Sequence, residues 1–151
     1  MNYVLEYIEK IESGEILVSK KVKKWYINHI KPIILDEHPR YYFDADEGER
    51  FIKFYRVCKQ SKGQWFGQPV ELLLFQKAKY QALFGIMHRE TGLRRFKEVF
   101  DVRGRKNGKS TENSILGLYL TLEECGAEIY VAATTRAQAR RVWEESQSMI
   151  D

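Results

Sequence analysis

One stretch, Arg103-Gly104-Arg105-Lys106-Asn107-Gly108-Lys109-Ser110-Thr111, constrains this 151-residue chain more than any other. It closes on Gly-Lys-Ser, the tail of the phosphate-loop signature G-x-x-x-x-G-K-[ST]. Gly108 supplies a residue without side-chain bulk, so backbone N–H groups can face a phosphate. Lys109 can reach the β- and γ-phosphates of a nucleotide, and the Ser110 hydroxyl can ligate Mg²⁺. A helix starting here points its positive end at the same anion. The signature's first glycine is missing: Arg103 stands in its place and Gly104 comes one position later.

The neighbouring segments supply the setting such a loop requires. Residues 96–102 alternate apolar and polar side chains as a strand does. From Thr111 to Leu122 the residues Ile115, Leu116, Leu118, Tyr119 and Leu122 recur at helical spacing, and Gly126 ends the pattern. Residues 127–133 are nearly continuously apolar, the signature of a buried strand. Strand, loop, helix and strand in this order predict an α/β fold built on a parallel βαβ unit, right-handed like almost all such crossovers.

Ahead of that unit the chain reads as helices. Val4, Leu5, Ile8 and Ile11 predict a first helix ended by Ser13-Gly14. Ser19 caps a second helix running through Val22, Trp25, Tyr26 and Ile30 towards Pro32. The lysines at 20, 21, 23 and 24 are read as a solvated face. Residues 36–42 predict a loop. Asp44 to Glu49 lacks the spacing of a calcium loop and reads as an acidic helix start, leading a third helix from Ala45 to about Lys59. A break at Ser61-Lys62-Gly63-Gln64 and a soft boundary near Gly67-Gln68-Pro69 precede an apolar helix over 70–87 that contains Gln76. Thr135 and Gln138 form a capping box for a last helix reaching Asp151.

Composition narrows the classes further. A 44% hydrophobic content suffices for a core, and no apolar run approaches the length of a membrane span. With no secretory apolar region at Met1-Asn2-Tyr3-Val4, the expected location is the cytoplasm. Cys58 and Cys125 are read as reduced, largely buried thiols, and His29, His38 and His88 have no ligand-spaced partners. The net charge of +4 is modest, but Arg89, Arg94, Arg95, Lys97, Arg103, Arg105, Lys106 and Lys109 crowd around the loop. They serve either the nucleotide's phosphates or a DNA backbone.

Taken together, these segments resemble the N-terminal part of the large terminase subunit of tailed bacteriophages, the DNA-packaging motor. The likeness rests on Arg103 to Thr111, on the Leu72–Gly85 pattern with Gln76 following Phe75, on Tyr130 to Ala139, and on the helical preamble. The resemblance implies a P-loop NTPase fold preceded by an α-helical lid-like subdomain, with residues 1–69 as the lid and 70–151 as the start of the ATPase domain. It implies ATP and Mg²⁺ as cofactors. Arg103, Gly104, Lys106, Asn107, Gly108, Lys109, Ser110 and Thr111 would hold the phosphates, with Ser110 on the metal. Gln76 would read adenine, and Arg105 would stabilise the transferring phosphoryl group. Double-stranded DNA, the small terminase subunit, the portal and further copies of the chain are the implied partners, and no membrane is.

The family's Walker B strand and nuclease cluster have no counterpart here. Leu118 to Glu124 imitates the former but lies on the loop's own helix. The chain is therefore expected to be the front of a larger protein, binding nucleotide weakly and hydrolysing it negligibly alone. Two other readings remain open: a non-catalytic DNA-binding module, and a different P-loop translocase or nucleotide kinase.

Overall fold

The computed structural model describes residues 1–61, 63–104, 106–123 and 125–150; Lys62, Arg105, Glu124 and Asp151 lie outside the described residues. The chain divides into two compact units, each made of two stretches: 1–53 with 72–99, and 54–71 with 100–151. The compact units therefore do not follow a single cut near residue 69.

In the first unit, α1 (Tyr3–Ser13) starts on Asn2, whose side chain accepts from the Leu5 N–H at 2.9 Å, and ends at Gly14 with φ +82°. Val4, Tyr7, Ile8 and Ile11 recur at three- and four-residue steps and are buried with Tyr26, Ile30, Ile33, Ala78, Ala82 and Ile86. Ser19 caps α2 (Lys20–Trp25), as its sequence predicts, and the four lysines are exposed. Pro32 does not end the helical path. The backbone widens into a π-turn (Tyr26–Ile30), in which Lys31 N–H donates to Tyr26 C=O, and α3 (Lys31–Ile34) takes Pro32 into its first turn.

α4 (Ala45–Val57) begins where Asp44 Oδ1 accepts from the Asp46 and Glu47 N–H groups, each at 3.0 Å. This is the helix-start role expected of these acidic residues. α5 (Leu74–Gly85) is shorter than the predicted 70–87 helix, and its last residue runs directly into a strand. The fully buried Gln81 on α5 accepts from Val4 N–H at 3.1 Å and donates to Met1 C=O at 2.8 Å, which fixes the start of α1.

Among the described residues the only sheet is antiparallel. It pairs β1 (Tyr41–Phe43) with β2 (Ile86–His88) in the register Tyr41 opposite His88 and Phe43 opposite Ile86. Residues 41 and 42 were expected in a loop and 86–87 in a helix. The expected strands at 96–102 and 127–133 form no ladder, so the parallel βαβ unit is not present among the described residues. Phe100 and Tyr130 are 93% and 84% exposed. An apolar run becomes a buried strand only when neighbouring strands take up its N–H and C=O groups, and the described residues supply none.

In the second unit, α6 (Lys109–Glu123) packs on α7 (Arg136–Ile150) through small hydroxylated residues. Ser114, fully buried, donates to Val142 C=O at 2.9 Å, and Ser146 donates to Ser114 C=O at 3.4 Å. The predicted capping box is half formed: Gln138 N–H donates to Thr135 Oγ1 at 3.3 Å, while the Gln138 side chain pairs with Thr134. Val70 N–H donates to Cys58 C=O at 3.0 Å and pinches the 58–70 excursion shut. Burial raises the Cys58 thiol above its ordinary pKa, whereas Cys125 is exposed, contrary to expectation. No helix among the described residues is long and apolar enough to cross a membrane.

Candidate functional site

The chain turns tightly through residues 106–108 into α6. Lys106 and Gly108 both adopt left-handed backbone, with φ of +64° and +68°. A Cβ on Gly108 would meet nothing within 4 Å, so conformation rather than space requires the glycine there. The Asn107 side chain donates to Gly104 C=O at 3.2 Å and draws the loop together. α6 opens at Lys109, and the Glu112 N–H donates to Gly108 C=O at 2.9 Å.

Lys109 is folded over the loop. Its ammonium donates to the carbonyls of Arg103 and Gly104, the latter at 3.0 Å. A flexible cationic stem placed there can exchange carbonyl oxygens for phosphate oxygens without leaving the loop. Ser110 is exposed beside it. Thr111 instead directs its hydroxyl to Glu145 on α7 at 2.5 Å.

Arg103 also turns away from a purely phosphate-facing role. Its guanidinium donates to Asp101 at 2.9 Å, to Glu112 at 2.5 Å and to Asn107 C=O at 3.3 Å. The hydrogen bond to Glu112 is the main cause holding its pKa above the ordinary arginine value. Glu112 was not singled out in the sequence. The available signal was an acidic residue three places before Ile115, on the face that α6 buries. Arg105 lies outside the described residues.

Gln76 belongs to the other unit. It is buried, and its Oε1 accepts from Leu73 N–H at 2.8 Å at the start of α5. The basic residues of 89–109 are likewise divided, Arg89 to Lys97 in the first unit and Arg103 to Lys109 in the second.

The first unit carries a second cationic cluster at the β1–β2 ladder. Arg95 stacks on Tyr41 and Phe96, with its guanidinium carbon 4.3 and 5.0 Å from the ring centroids, and Arg40 lies 5.9 Å from the Tyr41 ring. Arg89 pairs with Asp36, but neither Arg40 nor Arg95 has a carboxylate partner among the described residues. Arg95 Nη1 is buried without an acceptor. Burial, with the charges of Arg95, Arg40 and Arg89, pushes the His38 imidazole below its ordinary pKa and keeps it neutral near pH 7.

Compared with known proteins, residues 74–151, just over half of the chain, match the family described as terminase large subunit, ATPase domain. No curated protein and no solved structure matches.

Proposed function

This chain belongs to the terminase large subunit family by its ATPase domain, and from that premise we propose that it carries the ATP site of a motor that drives double-stranded DNA into a viral capsid. The observation that carries the reading is Lys109 folded over a loop wound by left-handed Gly108 at the mouth of α6. In this reading the loop's backbone N–H groups and the start of α6 receive the phosphates, Lys109 exchanges its carbonyl partners for β- and γ-oxygens, and Ser110 holds Mg²⁺. The metal supplies charge neutralisation on the phosphates. Gln76 reads the adenine edge and Arg105 stabilises the transferring group. Residues 70–151 form the start of the ATPase domain and 1–69 a lid-like portion. Titration calorimetry with Mg·ATP tests the assignment: weak but saturable, Mg²⁺-dependent heat is expected, and its absence at millimolar nucleotide overturns it.

Arg40 and Arg95 support the DNA side of the reading. Both guanidinium groups rest on Tyr41 and neither is neutralised by a carboxylate among the described residues, so the exposed Arg40, and the half-buried Arg95 through the part of its guanidinium other than the buried Nη1, can meet phosphodiesters. An Arg40→Ala/Arg95→Ala chain is expected to bind a short duplex about tenfold more weakly, with a log–log salt slope reduced by about 2. Lys109→Ala should leave that affinity unchanged. Equal duplex binding by the double variant and the unsubstituted chain removes this face from the proposal.

Self-association belongs to the same reading and is supported by the exposed Phe100, Tyr130 and Trp143 of the second unit. The mass measured by light scattering should rise with concentration, and a constant monomer mass counts against it.

A further inference from the structure

We propose that Glu112 is a positioning residue for the nucleotide, acting through a buried ion pair with Arg103 that replaces the missing glycine as the element setting the loop's curvature. The inference rests on the nucleotide-site reading and adds to it a residue and a mechanism.

A glycine at the first position of the signature lets the backbone turn freely. An arginine there needs an external reason to hold the turn, and its side chain supplies one. The guanidinium joins three points of the segment: Asp101 ahead of the loop, the carbonyl of Asn107 at its far side, and Glu112 in the first turn of α6. Its planar fork can serve several acceptors in fixed directions, which a lysine cannot. The anchor is buried: the Glu112 side chain is 1% exposed and that of Arg103 16%. The carbonyl of the same Arg103 accepts the Lys109 ammonium. The residue that clamps the loop to α6 thus also sets where the phosphate-binding lysine rests. Glu112 itself sits one helical turn beyond Lys109 and bonds the loop a second time, through its own N–H to Gly108 C=O.

Two variants separate positioning from mere stabilisation. Glu112→Gln removes the charge and leaves the shape. Arg103→Met/Glu112→Leu replaces the pair by apolar side chains of similar bulk, an exchange that commonly preserves or raises stability. The expected result for the double variant is an unfolding midpoint no lower than that of the unsubstituted chain. Its affinity for a fluorescent Mg·ATP analogue should nevertheless fall about tenfold, the scale of one charged hydrogen bond. In the nucleotide-free chain, amide exchange at residues 106–110 should accelerate in both variants and stay unchanged in α1 and α5. Unaltered exchange at 106–110 in both variants overturns the proposal. So does a double variant that binds the analogue as tightly as the unsubstituted chain. If no chain binds the analogue, the ATP reading falls while the exchange measurement still decides whether Glu112 shapes the loop.

Discussion

Lys109→Ala is expected to abolish ATP binding. The ammonium is the cationic side chain that reaches back over the loop, and it does so through two carbonyl oxygens, those of Arg103 and Gly104. Phosphate oxygens are stronger acceptors than carbonyls for an ammonium, so nucleotide entry converts two neutral-acceptor hydrogen bonds into charge-assisted ones. A hydrogen bond to a charged group contributes about 1.5–3 kcal/mol, and losing two takes a weak site below detection. Calorimetric titration of Mg·ATP into the variant checks this, with exchange protection of α6 confirming that the helix remains. An affinity equal to that of the unsubstituted chain would falsify the placement of the phosphates. Lys109→Arg is expected to restore little, because a planar fork on a different stem cannot reproduce a compact charge at the same point.

What the residue pattern made legible, and what it did not, follows from the range of the interactions involved. The capped helices were legible because their signals are local. Ser19 precedes the basic turn it caps, Asp44 precedes the acidic start of α4, and Thr135 stands three residues before Gln138. The turn at Gly108 was legible for the same reason, since Gly108 and Lys109 act on backbone a few residues away. The strands were misread because a strand is defined by its partner. Residues 127–133 have the composition of a buried strand but no neighbour among the described residues, while Tyr41–Phe43 pairs with Ile86–His88 more than forty residues on. Gln81 could not be read as the anchor of α1 because Met1 and Val4 lie 80 and 77 positions away. Arg103 was read as a phosphate contact because the family resemblance implies one there, although the signature itself has a glycine at that position. Only the fold brings Glu112 and Asp101 to its guanidinium. The family was legible because three of the four features that carry it are short segments between residues 72 and 139; the matched region covers nearly all of these and leaves out the fourth, the helical preamble.

Gly85→Ala is expected to lower the stability of the first unit by about 3 kcal/mol, at the upper end of what overpacking of a well-packed core typically costs. A Cβ at Gly85 would lie 2.5 Å from Asp44 C=O, 2.9 Å from Phe43 Cε2 and 3.2 Å from the Gly48 Cα. The first of these is a backbone atom at the start of α4, so no rotamer change relieves it. The same contact carries a hydrogen bond, Asp44 N–H to Gly85 C=O at 2.7 Å, which any displacement weakens. Gly48 faces the crossing from the other side, where a Cβ would meet Gln81 C=O at 2.7 Å. α4 and α5 therefore touch backbone to backbone, and any added side-chain atom must push them apart. Gly117→Ala, in the middle of α6, provides the contrast. Its Cβ would rest 3.5 Å from Ile129 Cγ2 in ordinary contact, so helix propensity decides the sign and the second unit gains about 1 kcal/mol. Urea unfolding read by amide exchange in α5 and in α6 distinguishes the two effects within one chain. Because Gly48 and Gly85 share a single interface, the Gly48→Ala/Gly85→Ala chain should lose less than the two separate losses added, since the first displacement already makes room for the second methyl. Strict additivity in that cycle would mean that α4 and α5 are not in direct backbone contact at this crossing.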